Sequence, residues 1–203
     1  MNLCISKYCS IKNNCFSVNG EVVFANSELS ATEFLTALYR HEQIGYPKFF
    51  KMDYLAKTGF LAADLLLKGT AFYGDSLKQT MGIFLSNNSS SLDTDIAFQK
   101  TIGKEYFPSP SVFVYTLPNI VMGEIAIKHK IFGENTFFVS QEFNDRFVRD
   151  YVNQVFVEKD MESAIVGWVE LFDQHCEAFL MLVEKEKGTI NFTQEIIHKL
   201  YKS

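Results

Sequence analysis

The apolar positions of this chain change period several times, and each change marks an element. Cys15-Phe-Ser-Val-Asn19-Gly20-Glu-Val-Val-Phe24 is strand-like on both sides of an Asn-Gly pair. Both turn residues accept positive φ, so the segment predicts a β-hairpin. Ser30-Ala-Thr-Glu33 is a capping box and opens a helix to about His41. Asp53 caps a second helix from Tyr54 to Lys68, with Leu55, Phe60, Leu61, Leu65 and Leu66 as apolar positions and Gly69 as its stop. A strand follows at Thr80–Leu85, then a polar loop, Ser86-Asn-Asn-Ser-Ser-Ser91, then a short helix from Asp93 to Gly103.

Pro118 makes Asn119 a helix start, and the helix Asn119–Lys128 is apolar nearly all round, which predicts burial on most sides. A strand is expected at Thr136–Ser140. From Phe143 the period becomes helical: Phe143, Phe147, Val148, Tyr151, Val152, Val155 and Phe156 share a face opposite Asp145, Arg146, Arg149 and Asp150. Ser163–Val169 and Ala178–Val183 are short apolar runs that fit buried strands, and Lys187-Gly188 turns the second towards Thr189–Phe192. Helices alternate with strands, which argues an α/β architecture: a layered mixed sheet with helices on its faces.

Composition narrows the function classes. The 203 residues suit one domain, and 20 Phe imply a large apolar core, or a core plus an apolar docking face. Lys+Arg number 19 against 24 Asp+Glu, with no basic block, so nucleic acid is a poor partner. No run approaches the roughly 18 apolar residues of a membrane span, and the first residues do not form a secretory signal, so cytoplasm is the default. Cys4, Cys9 and Cys15 cluster without a CxxC pair or a nearby histidine, so neither a metal site nor a cofactor is expected.

The stretch from Asn119 to Glu170 resembles the β-ketoacyl synthases of the thiolase-like superfamily. Leu117-Pro-Asn119-Ile-Val-Met-Gly123-Glu-Ile-Ala-Ile matches that family's Asn-containing buried helix. Gly133-Glu-Asn-Thr-Phe-Phe-Val-Ser140-Gln141-Glu142 matches its strand and active-site turn, and Asp160-Met-Glu162-Ser-Ala-Ile-Val-Gly167-Trp-Val-Glu170 its later Gly-containing strand. Lys51-Met52-Asp53 and Thr80-Met-Gly-Ile-Phe-Leu-Ser fit its early segments, so the resemblance runs over about residues 45 to 185.

The departures carry the functional reading. The resemblance places the family's nucleophilic Cys at Glu142, or at Gln141 if the register slips by one residue. A carboxylate is a poor nucleophile towards an acyl thioester, whereas a thiol at a helix N-terminus is activated. The family's two catalytic histidines lie in a second half, and this chain ends where the first half ends. His175-Cys176 is not a dyad, because neighbours in a strand point to opposite faces. The family's small residues after the nucleophile are Phe143, Asn144 and Asp145 here, so bulk replaces space. Phe143 and Asn119 are the candidate substrate-contacting positions.

A lone half would leave a face uncovered, and isolated monomers rarely keep large apolar patches. The face is covered by a full-length ketosynthase, by a second copy, or by the extra segments 1–44 and 171–203. Three functions remain open. One is a non-condensing, chain-length-factor-like subunit in fatty acid or polyketide (aryl polyene-type) assembly, with an acyl carrier protein as a further contact. Another is a malonyl-thioester decarboxylase or acyltransferase-type enzyme completed by a partner. The last is an acyl-chain binding module.

Overall fold

Three two-residue turns build the hairpins of the sheet, and each places both residues at positive φ: Asn13-Asn14, Asn19-Gly20 and Asp173-Gln174. The computed structural model of the chain describes residues 2–103 and 107–203. The first two turns join β1 (Leu3–Lys12), β2 (Cys15–Val18) and β3 (Glu21–Ala25); the third joins β6 (Ser163–Phe172) to β7 (His175–Lys185). With β4 (Met81–Asn87), β5 (Asn135–Val139) and β8 (Ile190–Asn191) they form one mixed sheet in the order β3-β2-β1-β7-β6-β4-β5, with β8 beside β1. β4 pairs in parallel with both β5 and β6, and β7 runs antiparallel to β6 and β1.

Helices cover both faces. α1 (Ala31–His41), α2 (Tyr54–Leu67) and α5 (Ile120–His129) lie on one, where Phe34, Leu38, Phe60, Leu61 and Val121 meet Ile83, Ile165 and Leu180. α6 (Asp145–Glu158) and α7 (Gln194–Lys202) lie on the other, where Val152, Phe156 and Ile197 meet Phe84, Val166 and Phe179. Along β6, Ile165 faces the first layer and Val166 the second, the two-residue alternation of a strand buried on both sides. The short helices α3 (Leu92–Gln99) and α4 (Pro110–Phe113) sit between β4 and α5.

The capping signals act as expected. The Ser30 hydroxyl accepts the N–H of Glu33 while the Glu33 carboxylate accepts the N–H of Ser30. Asp53 Oδ1 accepts the N–H of Ala56 at 2.8 Å to start α2. α2 is buried nearly all round, and each of its fully buried Leu and Phe side chains stabilises the fold by about 1.5–3 kcal/mol.

Three expectations need correcting. The polar stretch after residue 85 does not begin as a loop: β4 runs on through Ser86 and Asn87, because their side chains find partners. Ser86 Oγ donates to the Gly167 carbonyl, and the Asn87 amide exchanges hydrogen bonds with the Ser90 backbone. α6 begins at Asp145 rather than Phe143, because the Asn144 side chain accepts the N–H of Phe147 and takes the cap. α5 is not buried on most sides: Gly123 and Ile127 are exposed, while the polar Glu124 and His129 are buried. On the second face of the sheet the segment 171–203 provides cover, as one of the alternatives held: α7 lays Ile197, Leu200 and Tyr201 over it. No described helix is long and apolar enough to cross a membrane.

Candidate functional site

In an open sheet, chemistry gathers beyond the carboxyl ends of the parallel strands. Here that end is built by the loops after β4 and β5, and they are tied together. The Ser140 N–H donates to the Asn87 carbonyl at 2.9 Å, and Asn88 Nδ2 donates to the Gln141 carbonyl at 2.5 Å. Glu170, buried near the end of β6, holds the first loop. Its Oε2 accepts the N–H groups of Asn88 at 2.7 Å and Ser89 at 3.1 Å, and its Oε1 accepts the N–H of Leu171 at 3.1 Å.

Glu142 and Gln141 lie in the loop between β5 and α6, both exposed. The strand before them, β5, is the edge of the sheet, and Glu142 precedes the Asn144 cap of α6. Phe143 turns inward. Its ring centroid lies 4.7 Å from that of Tyr201, 5.7 Å from Phe179 and 6.3 Å from Trp168. It therefore packs the core beneath the junction, filling the volume that small residues would leave open.

Asn119 precedes α5 and makes no side-chain cap bond. The β4–α5–β5 crossover joins parallel neighbours, so α5 runs back against the strands and Asn119 lies at the same end of the sheet as Glu142. It lies on the opposite face from Phe143.

α7 brings groups to the junction that the motifs did not point to. His198 Nδ1 meets Asp145 Oδ2 at 2.8 Å, and Gln194 Nε2 donates to Asp145 Oδ1 at 3.0 Å. These lie at a recess of about 360 Å³ that also includes Glu142, Arg146 and Lys202. Burial pushes the Tyr201 hydroxyl up to about 12, and the carboxylates of Glu177, Glu142 and Glu170 add to the effect. The signal for α7 was present in Thr193 followed by Ile196, Ile197, Leu200 and Tyr201, a cap ahead of a helical stripe.

No thiol reaches the junction. Cys9 is fully buried and pushed up to about 12 by burial; Cys176, beside the Thr58 hydroxyl at 3.3 Å, is pushed up to about 11 for the same reason. His175 is exposed while Cys176 is buried, so the pair does point to opposite faces.

No family model matches this sequence, and no curated protein does. Solved structures match its fold. One is "The ishigamide ketosynthase/chain length factor", 15% identical, with a TM-score of 0.66 over 93% of this chain and 63% of that one. Another is "Ketosynthase (ApeO) in Complex with its Chain Length Factor (ApeC) from Xenorhabdus doucetiae", 12% identical, with a TM-score of 0.59 over 100% of this chain and 91% of that one. The AntDE:AntF complex, a type II PKS acyl-carrier protein with its ketosynthase, is 12% identical with a TM-score of 0.65 over 98% of this chain and 64% of that one. The fold is that of the thiolase-like ketosynthases. The chain spans less than two thirds of the matched ishigamide chain but nine tenths of the matched Xenorhabdus chain.

Proposed function

We propose that residues 1–203 form one domain acting as a cytoplasmic, non-condensing ketosynthase-like subunit. It supports fatty acid or polyketide chain assembly, of aryl polyene type, by pairing with a catalytic synthase. The observation that carries this reading is the junction after β5. By the register that the resemblance implies, Gln141 and Glu142 stand where that family has a thiol, and Phe143 packs the core beneath them. A subunit without a nucleophile contributes through a partner. Among the described residues β5 is an edge strand with no strand paired on its outer side, and Val139 at its end and Phe147 on α6 are exposed apolar side chains. The likeness to a ketosynthase in complex with a chain length factor fits the same reading.

Affinity purification of the tagged chain from its native host tests this. Recovery of a full-length ketosynthase, alone or with its acyl carrier protein, is the expected result. Recovery of neither would overturn it. Malonyl-carrier decarboxylation, measured with and without Glu142→Ala, tests the enzymatic reading. Equal rates would dispose of it. Native mass spectrometry that finds no retained acyl chain would count against a binding module.

A further inference from the structure

The second face of the sheet changes character where α7 ends. Tyr201, near the end of that helix, lies over Phe179 of β7 with ring centroids 5.6 Å apart. Beyond β7 the sheet continues through β1, β2 and β3. The register runs on across them: Phe179 stands opposite Ser10, Ser10 opposite Ser17, and Ser17 opposite Val22. The row thus drops from a large ring to two small side chains just past the helix. That drop opens a recess of about 340 Å³ between the β1–β2–β3 strands and the end of α7.

The recess is rich in hydrogen-bond donors without partners. Tyr8, Ser10 and Lys12 share this face of β1 by the two-residue period of a strand. Lys12 is exposed and forms no ion pair among the described residues. The Tyr8 hydroxyl lies over Gly20, 3.2 Å from where a Cβ would stand, and makes no hydrogen bond among the described residues. The Ser10 and Ser17 hydroxyls are 2.8 Å apart. One of their two protons makes that bond, so the other remains free to donate. Glu177 is the acidic side chain at the rim, and it is engaged: its Oε2 faces His175 Nε2 at 3.4 Å, and its carboxylate accepts the Tyr201 hydroxyl. The site therefore holds a surplus of donors and one unpaired positive charge. Val22, Phe179 and Leu200 give it an apolar wall.

We propose that this recess is a binding site for a small monocarboxylate with a compact apolar body. The carboxylate takes the Lys12 ammonium and the free hydroxyl donors of Tyr8 and the serine pair. The body lies against Phe179 and Leu200. A single cation matches one negative charge, and an inorganic anion would leave the apolar wall unused. The volume is at the low end for ligand pockets, which sets the size as compact. Cys15 stands opposite Lys12 in the register and lines the same recess, so its thiol reports occupancy. The site lies apart from residues 141–143 and does not depend on the subunit reading.

The test uses benzoate as the probe, with benzyl alcohol as its uncharged counterpart, in titration calorimetry of the full chain. Benzoate should bind, and benzyl alcohol should bind at least about tenfold more weakly, the cost of losing hydrogen bonds to a charged group. Lys12→Gln should weaken benzoate by about the same factor. Lys187→Gln, which removes an exposed charge outside the recess, should leave it unchanged. Ser17→Leu fills the floor and should abolish binding of both probes. Benzoate should also slow the modification of Cys15 by methyl methanethiosulfonate, an uncharged reagent. No heat with benzoate, equal affinity for the two probes, or undiminished binding in a folded Lys12→Gln would each overturn the site. Benzoate that binds without protecting Cys15 would place it elsewhere and overturn the site as well. Should Ser17→Leu fail to fold, Lys12→Gln and the protection of Cys15 decide the question.

Discussion

Asp64 on α2 and His129 at the end of α5 face each other with Oδ1 and Nε2 3.2 Å apart, and both side chains are sealed from solvent. The atoms are within ion-pair reach but not aligned as a hydrogen bond, and the Tyr73 hydroxyl donates to the other Asp64 oxygen at 3.5 Å. The pair joins the ends of the two helices that pack at Gly59. Removing one partner leaves the other buried alone. Asp64→Ala or His129→Ala should therefore destabilise the chain by about 3–5 kcal/mol in urea unfolding, whereas Asp64→Leu with His129→Phe should recover most of the loss. Losses that simply add in the double variant would show that the two residues do not act as a pair.

Asp53 links α2 to α3. Its Oδ1 caps α2, and its Oδ2 accepts the Thr94 hydroxyl at 2.6 Å. Burial raises the carboxyl above its ordinary 3.8, and the hydrogen bonds from Thr94 and Ala56 pull against that rise. The folded state thus holds this proton more tightly than the unfolded chain does. Stability contributed by Asp53 is greatest below 3.8, falls as pH rises through the raised value, and stays lowered above it. Thr94→Val removes one of the bonds that favour the carboxylate. It should cost about 1–3 kcal/mol at neutral pH. The cost should shrink at pH values below the raised carboxyl, where Asp53 is protonated in both proteins. Urea titrations at neutral and acidic pH would measure both, and an equal difference at the two would remove Asp53 ionisation from the account.

The parts of this fold that could be read in the sequence are those whose local chemistry and tertiary role agree. Ser30 and Glu33 announce α1 because capping is a contact within four residues, and Asn19-Gly20 announces its hairpin because the turn itself demands positive φ. The hairpins at Asn13-Asn14 and Asp173-Gln174 use the same geometry without a glycine, so their signal is weaker although the turns are equivalent. The start of α6 was misplaced because Phe143 extends the helical spacing by one turn, yet its ring serves the core from a loop and Asn144 ends the helix. At the candidate site, the order of motifs fixed where residues 141–143 fall in the chain. It did not reveal the groups brought from far away, Glu170 under the β4 loop and the Asp145–His198 contact made by α7, because those depend on the packing of distant elements.

Two neighbours at that junction should respond very differently to the same change. Phe143 is buried among Tyr201, Phe179 and Trp168, so Phe143→Ala removes a core ring and leaves a cavity beneath α7. A loss of about 3–5 kcal/mol is expected. Glu142 is exposed, and its side chain makes no hydrogen bond among the described residues, so Glu142→Ala should change stability by less than about 0.5 kcal/mol. Denaturant midpoints of the two variants check the contrast. Comparable losses would mean that Glu142 organises the junction.

The absence of an activated sulphur at the junction has a direct chemical readout. The thiolate is the reactive form of cysteine, and a raised pKa keeps a thiol protonated and inert. Cys9 and Cys176, held near 12 and 11 by burial, should remain silent towards Ellman's reagent in the native protein from pH 7 to 9. Cys4 is buried and should be protected by access. Cys15, on β2 and partly exposed, is the one of the four expected to react. Unfolding in urea should release the other three together. One equivalent in the native state and four after unfolding would agree with a subunit that holds no acyl group of its own. A second fast equivalent that disappears in Cys176→Ser would place an accessible thiol at the start of β7, and the case for a partner-supplied nucleophile would then lose its chemical basis.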